Sequence, residues 1–305
     1  MADLTIGIVG LGSIGQRHIK NILSLCAEKG LSHTVVALRH KPSALPSALA
    51  SLVDREAYSY ADMPCCDIVL ICNPSQVHLE TVHKLKNKAA KIFLEKPAFI
   101  KPVSEAELSE LDPSGDKIRI ACPLRHSRTY EALSAFVKAN DVYSARAICS
   151  SYLPQWRPMA DYSKLYSARE DSGGVKIDLI HEFDYMFRLF GFPSEAVLLE
   201  GRVSNLSIRC SDVALYSGFY PQMAVEIHLD YFGRKSQRRC EVYSKNEVRT
   251  FDFLVEEENV NMWYVREMAD FLNFAMNGGE NINSLRFANK VLKSIYFACK
   301  ERENV

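Results

Sequence analysis

The chain has 305 residues, 48% of them hydrophobic, which is enough for two domains with substantial cores. Lysine plus arginine equals aspartate plus glutamate at 37 each, so the chain lacks the basic balance that nucleic-acid phosphates select, and no nucleic-acid partner is expected. No segment approaches the roughly 18 consecutive apolar residues that cross a bilayer, so no membrane partner is expected either.

Leu4–Val9 is a near-continuous apolar run of strand length, the pattern of a strand covered on both faces. It leads into Gly10-Leu11-Gly12-Ser13-Ile14-Gly15 and then into a helix expected from Gln16 to Ala27. Strand, G-x-G-x-x-G and helix in that order form a dinucleotide fingerprint. Gly10 permits the tight turn, Gly12 lets a pyrophosphate approach the backbone, and Gly15 lets helix and strand pack closely. Ser13 and Ile14 complete the candidate cradle; the competing reading is a plain glycine-rich turn.

The second strand, Thr34–Leu38, runs into Arg39-His40-Lys41. An acid usually stands about 20 residues past the glycines to bind the ribose 2′-hydroxyl of NAD. Here Arg39 and His40 suit a 2′-phosphate better, so NADP is favoured over NAD. The alternative is a basic strand end with the ribose held elsewhere.

A third apolar strand, Ile68–Cys72, ends in Asn73-Pro74-Ser75 and a helix opening near His78. Asn73 and Pro74 are candidates to line a nicotinamide pocket. His78 is either a further contact or a helix-start residue without a ligand. The short strand Lys91–Leu94 then delivers Glu95, Lys96 and Pro97 in succession. Proline cannot donate to a ladder, so Pro97 ends the strand. Lys96 thereby stands at a strand's carboxyl end, where open α/β sheets place ligands; the bland alternative for Glu95 and Lys96 is a solvated strand end. A helix capped by Ser104, with Glu107 three residues on, and a strand Lys117–Cys122 complete a doubly wound parallel sheet. The expected division is a dinucleotide-binding domain over 1–122 and an α+β domain over 123–305 that carries substrate binding and oligomerisation.

After residue 123 the pattern changes. A helix is expected from Tyr130 to Ala139, and strands at Ser144–Leu153, Ala196–Val203, Val213–Phe219, Met223–Phe232, Arg238–Tyr243 and Val248–Leu254. This reads as an open, mostly antiparallel sheet with helices on one side. Tyr216, Phe219, Tyr220, Tyr231 and Phe232 are its candidate outward aromatics, from which a homodimer or homotetramer is expected. The loop Tyr152–Tyr162 is rich in aromatic and charged groups, as loops that bind polyhydroxylated ligands are; a packed interface loop is the alternative. Gly173-Gly174 open a single helix expected to end near Gly191. Asp178 and His181 lie three apart and would share one face of it. A histidine so placed can take a proton from a hydroxyl at neutral pH. The plainer readings are a surface ion pair or a hydrogen-bonded interior histidine.

Nine cysteines, an odd count with no C-x-x-C pair, point to reduced buried thiols, to no metal site and to a cytoplasmic protein. The first strand begins almost at the first residue, which leaves no room for a secretion signal and supports the same location.

Taken together, Gly10–Gly15 running into His18, Asn73-Pro74 with His78, Glu95-Lys96-Pro97, Arg125-His126 and Gly173-Gly174…Asp178…His181 resemble the glucose–fructose oxidoreductase/inositol dehydrogenase/rhizopine catabolism (Gfo/Idh/MocA) family. The resemblance implies an amino-terminal Rossmann domain, a carboxyl-terminal open sheet, and hydride transfer between a nicotinamide and a carbinol of a sugar or cyclitol. It makes Lys96 the active-site lysine and matches Asp178 and His181 to the family's aspartate and histidine, with His181 as base. Many members space that pair by four residues; here the gap is three. Arg125, Trp156, Arg157 and Tyr162 become candidates for holding the rest of the substrate. The loop Tyr152–Tyr162 is similar to that of a branch found with bacterial surface-glycan biosynthesis. A rival from another class is a dinucleotide-binding regulator that keeps the fold without turnover.

Overall fold

The computed structural model describes residues 3–42, 44–255 and 259–298. Six parallel strands form the first sheet: β1 (Leu4–Val9), β2 (His33–Leu38), β3 (Arg55–Ala57), β4 (Cys66–Ile71), β5 (Ala89–Leu94) and β6 (Ile118–Ile120). Their order, β3-β2-β1-β4-β5-β6, is the doubly wound arrangement expected of a dinucleotide fold. The apolar runs read as strands are those buried on both faces: Ile6, Ile8, Ile68, Leu70 and Phe93 are completely shielded. β3 has no such run, being three residues long with two of them exposed, and sequence periodicity misses it.

Helices α1 (Ser13–Glu28), α2 (Ser47–Ala50), α3 (His78–Leu85) and α4 (Glu105–Leu111) connect these strands. Ser104 caps α4 as its spacing from Glu107 requires, accepting from the Glu107 N–H at 3.2 Å. The chain divides into two compact units, and the first is discontinuous: Met1–Phe99, Val103–Pro123 and Val260–Asn289. A single cut after residue 122 therefore leaves out a returning segment. That segment carries a helix without a counterpart in the sequence reading, Asn261–Asn277, whose Met268, Phe271 and Leu272 enter the same core as Ile19, Ile22 and Leu25 of α1.

The second unit comprises Ile100–Pro102, Leu124–Asn259 and Lys290–Val305. Its sheet, in the order β12-β11-β7-β10-β9-β8, is built from β7 (Val142–Tyr152), β8 (Glu195–Gly201), β9 (Val213–Phe219), β10 (Ala224–Asp230), β11 (Phe232–Ser244) and β12 (Val248–Asp252). All pairings are antiparallel except β10 with β7. One face is covered by α5 (Arg128–Ala139) and by a helix over His181–Phe190, whose Phe183 meets Tyr216 edge-on at 5.3 Å.

The period of two decides which aromatics face outward. Tyr216 shares its face with Ala214 and is 1% exposed, so it belongs to the covered side, contrary to the outward assignment. Tyr231 is also fully buried, because it follows β10 at the turn into β11 and points inward. Tyr220 and Phe232 are half-buried. Phe219 is outward at 57%, accompanied on the open face by Leu199 and Leu215 at 44% each.

The segment after the two glycines also differs from its expected form. Instead of one helix, a single turn α7 (Val175–Asp178) follows the short α6 (Leu153–Trp156) in chain order, and α8 (His181–Phe190) begins three residues later. Leu179, at φ −96° and ψ 35°, breaks the ladder between them. Asp178 therefore ends one helix and His181 starts the next, and a shared helix face does not describe them. The chain closes with α9 (Asn261–Asn277) and α10 (Leu285–Ala298).

Candidate active site

The glycine turn in the first unit has the form its spacing demands. Gly10 adopts φ +94°, and a Cβ there would lie 2.6 Å from the main chain of Cys72 and Asn73. A Cβ on Gly15 would fall 1.9 Å from the Gly10 carbonyl oxygen, so only glycine lets α1 start this close to the turn. Gly12 is different: a Cβ there would meet nothing within 4 Å. Its bareness leaves the backbone open to an approaching group. α1 has no side-chain cap and no acid in its first turn, which leaves the amides of Ser13, Ile14 and Gly15 as donors at the positive end of the helix dipole. An open glycine, uncapped amides and no competing carboxylate fit a pyrophosphate.

The ends of β4 and β5 are tied together. His78 is completely buried, with Nδ1 3.0 Å from the Pro97 carbonyl and Nε2 2.9 Å from the Asn73 carbonyl. Burial lowers its pKa against the pull of those carbonyls. Both nitrogens face the main chain, so His78 clamps the two strand ends together. Asn73 is oriented in turn by donating to Thr81 Oγ1 at 2.8 Å, and its Oδ1 is buried with no partner among the described residues. Pro74 is exposed beside it.

Glu95 faces inward. His18 of α1, the residue after Arg17, donates from Nε2 to Glu95 Oε1 at 2.5 Å, and the Lys96 amide donates to Oε2 at 3.0 Å. Burial works to raise the Glu95 pKa, but the His18 hydrogen bond and the charges of His18 and Lys96 outweigh it and hold the carboxyl below its ordinary value. Glu95 is thus a support for the strand end, and Lys96, half-buried, is the side chain presented next.

At the end of β2, Arg39 NH1 donates to Glu56 Oε2 of β3 at 2.5 Å, and Tyr58 OH donates to the same oxygen at 2.7 Å. Sequence reasoning misses Glu56, because β3 carries no strand signal. His40 is exposed.

In the second unit, Asp178 Oδ2 accepts from Ser167 Oγ at 2.5 Å and from Tyr231 OH at 3.0 Å. Burial, reinforced by the Asp178 charge, drives the Tyr231 pKa well above its ordinary value, so the hydroxyl stays a donor. Trp156 stands edge-on to the Tyr231 ring at 5.5 Å. Neither Ser167 nor Tyr231 has a sequence signal; their polar atoms meet Asp178 only through the turn that follows β10 and the 3₁₀ turn Tyr166–Ala168. His181 is 9% exposed at the start of α8. The bare glycine pair is explained too: Gly174 has φ +71°, and a Cβ would lie 2.2 Å from Ser211 Oγ.

The substrate candidates separate. Arg125 makes a buried, two-pronged ion pair with Asp184, at 2.7 and 2.9 Å. That pairing gives it a structural task in place of the ligand contact expected of it. Tyr162 OH accepts from the Ser207 amide at 3.1 Å, and Arg157 is exposed. Trp156 is the one of the four in ring contact with Tyr231, the partner of Asp178.

Residues 4–112 match the family model described as the Gfo/Idh/MocA oxidoreductases with an NAD-binding Rossmann fold. The myo-inositol 2-dehydrogenase of Thermotoga maritima is 24% identical over 206 residues, 66% of this chain and 59% of that protein. The scyllo-inositol 2-dehydrogenase (NAD(+)) of Bacillus subtilis is 23% identical over 201 residues, 65% of this chain and 57% of that one. The matched part thus spans less than two thirds of these relatives' length. Among solved structures, the myo-inositol 2-dehydrogenase of Lactobacillus plantarum superposes with a TM-score of 0.80 at 18% identity, over 97% of this chain and 96% of the other. Levoglucosan dehydrogenase in complex with NADH gives 0.83 at 13% identity, over 97% of each chain. At these identities the superpositions establish a common fold. Over residues 4–112, its amino-terminal unit, the chain is thus similar to the Gfo/Idh/MocA oxidoreductases, and over nearly its whole length it shares their fold.

Proposed function

We propose that the protein is a nicotinamide-dependent dehydrogenase that interconverts a secondary carbinol and a ketone on a cyclitol, sugar or sugar derivative. The observation that carries this reading is the supported strand end: His18, Glu95 and His78 use buried polar contacts to fix the residue positions on either side of Lys96. A bare turn binder of dinucleotide has no use for a lysine held in this way. Bound nicotinamide supplies the hydride acceptor or donor.

Lys96 hydrogen-bonds the substrate oxygen and stabilises the negative charge that grows on it. His181 takes the hydroxyl proton in oxidation and returns it in reduction. Asp178, aligned by Ser167 and Tyr231, accepts a neighbouring hydroxyl of the polyol. Trp156 offers an apolar edge to the sugar ring. The inositol and levoglucosan dehydrogenases among the similar proteins support a polyol substrate. The likeness of the Tyr152–Tyr162 loop to a surface-glycan branch supports a glycan-derived one. The open face bearing Phe219 and Leu215 is proposed to pair copies of the chain. The test is a purified protein given NAD or NADP with a panel of inositols and sugars, followed at the reduced-nicotinamide absorbance band. A panel in which nothing reduces either cofactor, or oxidises it with the matching ketones, counts against the reading.

A further inference from the structure

The carboxyl end of β2 has no acid of its own, yet a carboxylate stands there. β3 runs parallel to β2 with Glu56 opposite Ala37 and Ala57 opposite Leu38. Leu38 in turn lies opposite Val9, the residue before the glycine turn. Arg39 follows directly, its amide donating to the Ala57 carbonyl at 2.9 Å and its guanidinium to Glu56 Oε2 at 2.5 Å. Tyr58 OH holds that same oxygen from another side at 2.7 Å. The sheet thus brings an acid to the glycine edge from 17 residues beyond Arg39, on the neighbouring strand.

Resting on the reading of this unit as a nicotinamide-dinucleotide site, we infer that Glu56 is the specificity-determining residue for the cofactor, and that it selects NAD over NADP. Its Oε2 is fixed by Arg39 and Tyr58, while Oε1 is available to accept from ribose hydroxyls, which are donors. A 2′-phosphate carries nearly two negative charges and no equivalent donor. Such a group at this strand end meets an arginine whose charge Glu56 already balances, and it must displace the carboxylate or sit against it. The basic run Arg39-His40-Lys41 favours NADP only while Glu56 is left out. Hydrogen bonds from Tyr58 and then Arg39 depress the Glu56 pKa, so the group is an anion at neutral pH.

The inference is tested by dissociation constants for NAD and for NADP, measured on the full chain by titration without turnover. The unmodified protein is expected to bind NAD at least about tenfold more tightly than NADP, the scale of a single charge-assisted hydrogen bond. Glu56→Gln should shift that ratio about tenfold toward NADP, since it removes the negative charge that stands against the guanidinium. Glu56→Asp should keep the NAD preference, and adding Arg39→Ala to Glu56→Gln should abolish the advantage won for NADP. Tighter binding of NADP by the unmodified protein overturns the inference, as does a ratio that Glu56→Gln leaves unchanged or failure to bind either dinucleotide. Because the ratio is read from binding alone, a protein that shows it but turns nothing over keeps this inference and loses the proposed activity. An active enzyme that prefers NADP does the reverse.

Discussion

His18 Nε2 donates to Glu95 Oε1 at 2.5 Å, joining the helix that follows the glycine turn to the residue before Lys96. His18 is completely buried, Glu95 is 8% exposed, and the imidazole meets the Phe93 ring edge-on at 4.9 Å. The other ring nitrogen, Nδ1, is buried with no hydrogen-bond partner among the described residues.

The pair gives a pH dependence with a definite sign. The folded-state Glu95 pKa lies below its ordinary 4.5, so the contribution to stability is present above pH 4.5 and is lost as pH falls below it. Glu95→Gln should lower stability at neutral pH by about 1–3 kcal/mol, the cost of weakening a hydrogen bond to a buried charged group. The gap between the two proteins should close on acidification below that point. Thermal unfolding of both across pH checks this; a gap that stays constant into acid contradicts the role given to the charge.

His181→Asn should lose turnover, and raising the pH should not bring it back, because no proton acceptor replaces the imidazole. The break at Leu179 means that the three-residue spacing from Asp178 implies no rotation of the ring about a single helix. An unchanged pH profile at near-normal rate gives the role of base to another group.

Tyr231→Phe removes the donor to Asp178 and leaves the ring packing against Trp156. A hydrogen bond to a charged group is worth roughly 1.5–3 kcal/mol, so kcat/KM should fall about 10- to 100-fold through looser positioning of Asp178. Tyr231→Leu should lose the ring contact as well and cost more in thermal stability. Equal kcat/KM for Tyr231→Phe and the unmodified protein removes Asp178 and its holder from substrate binding.

Phe219→Asp places a charge on the open face that also carries the outward apolar Leu199 and Leu215. Light scattering at micromolar concentration should give a multiple of 34.5 kDa for the unmodified chain and a smaller mass for the variant. A monomer in both cases contradicts the pairing face.

The fold is legible in the sequence where burial is two-sided or alternation is clean. β1 is bounded as its apolar run predicts, and Val213–Phe219 is β9 residue for residue. β3 is not legible, since three residues, two of them exposed, carry no periodicity, and Glu56 is hidden with it. Asp178 and His181 are visible as residue types, but the ladder break between them is not, because Leu179 carries no breaker signal. Arg125 reads as a ligand group because a guanidinium in isolation looks available. Asp184, 59 residues on, takes it up in a buried pair that only the tertiary fold reveals.

The most direct test of the proposed activity compares the unmodified protein with Lys96→Ala. Both receive NAD and the inositol and sugar panel, with initial rates read at the reduced-nicotinamide band and cofactor affinity measured separately. The account predicts a polyol-dependent rise for the unmodified protein, a fall of roughly 100-fold or more in turnover for the variant, and nearly equal affinity for NAD. Turnover of the true substrate by Lys96→Ala at the unmodified rate would contradict it.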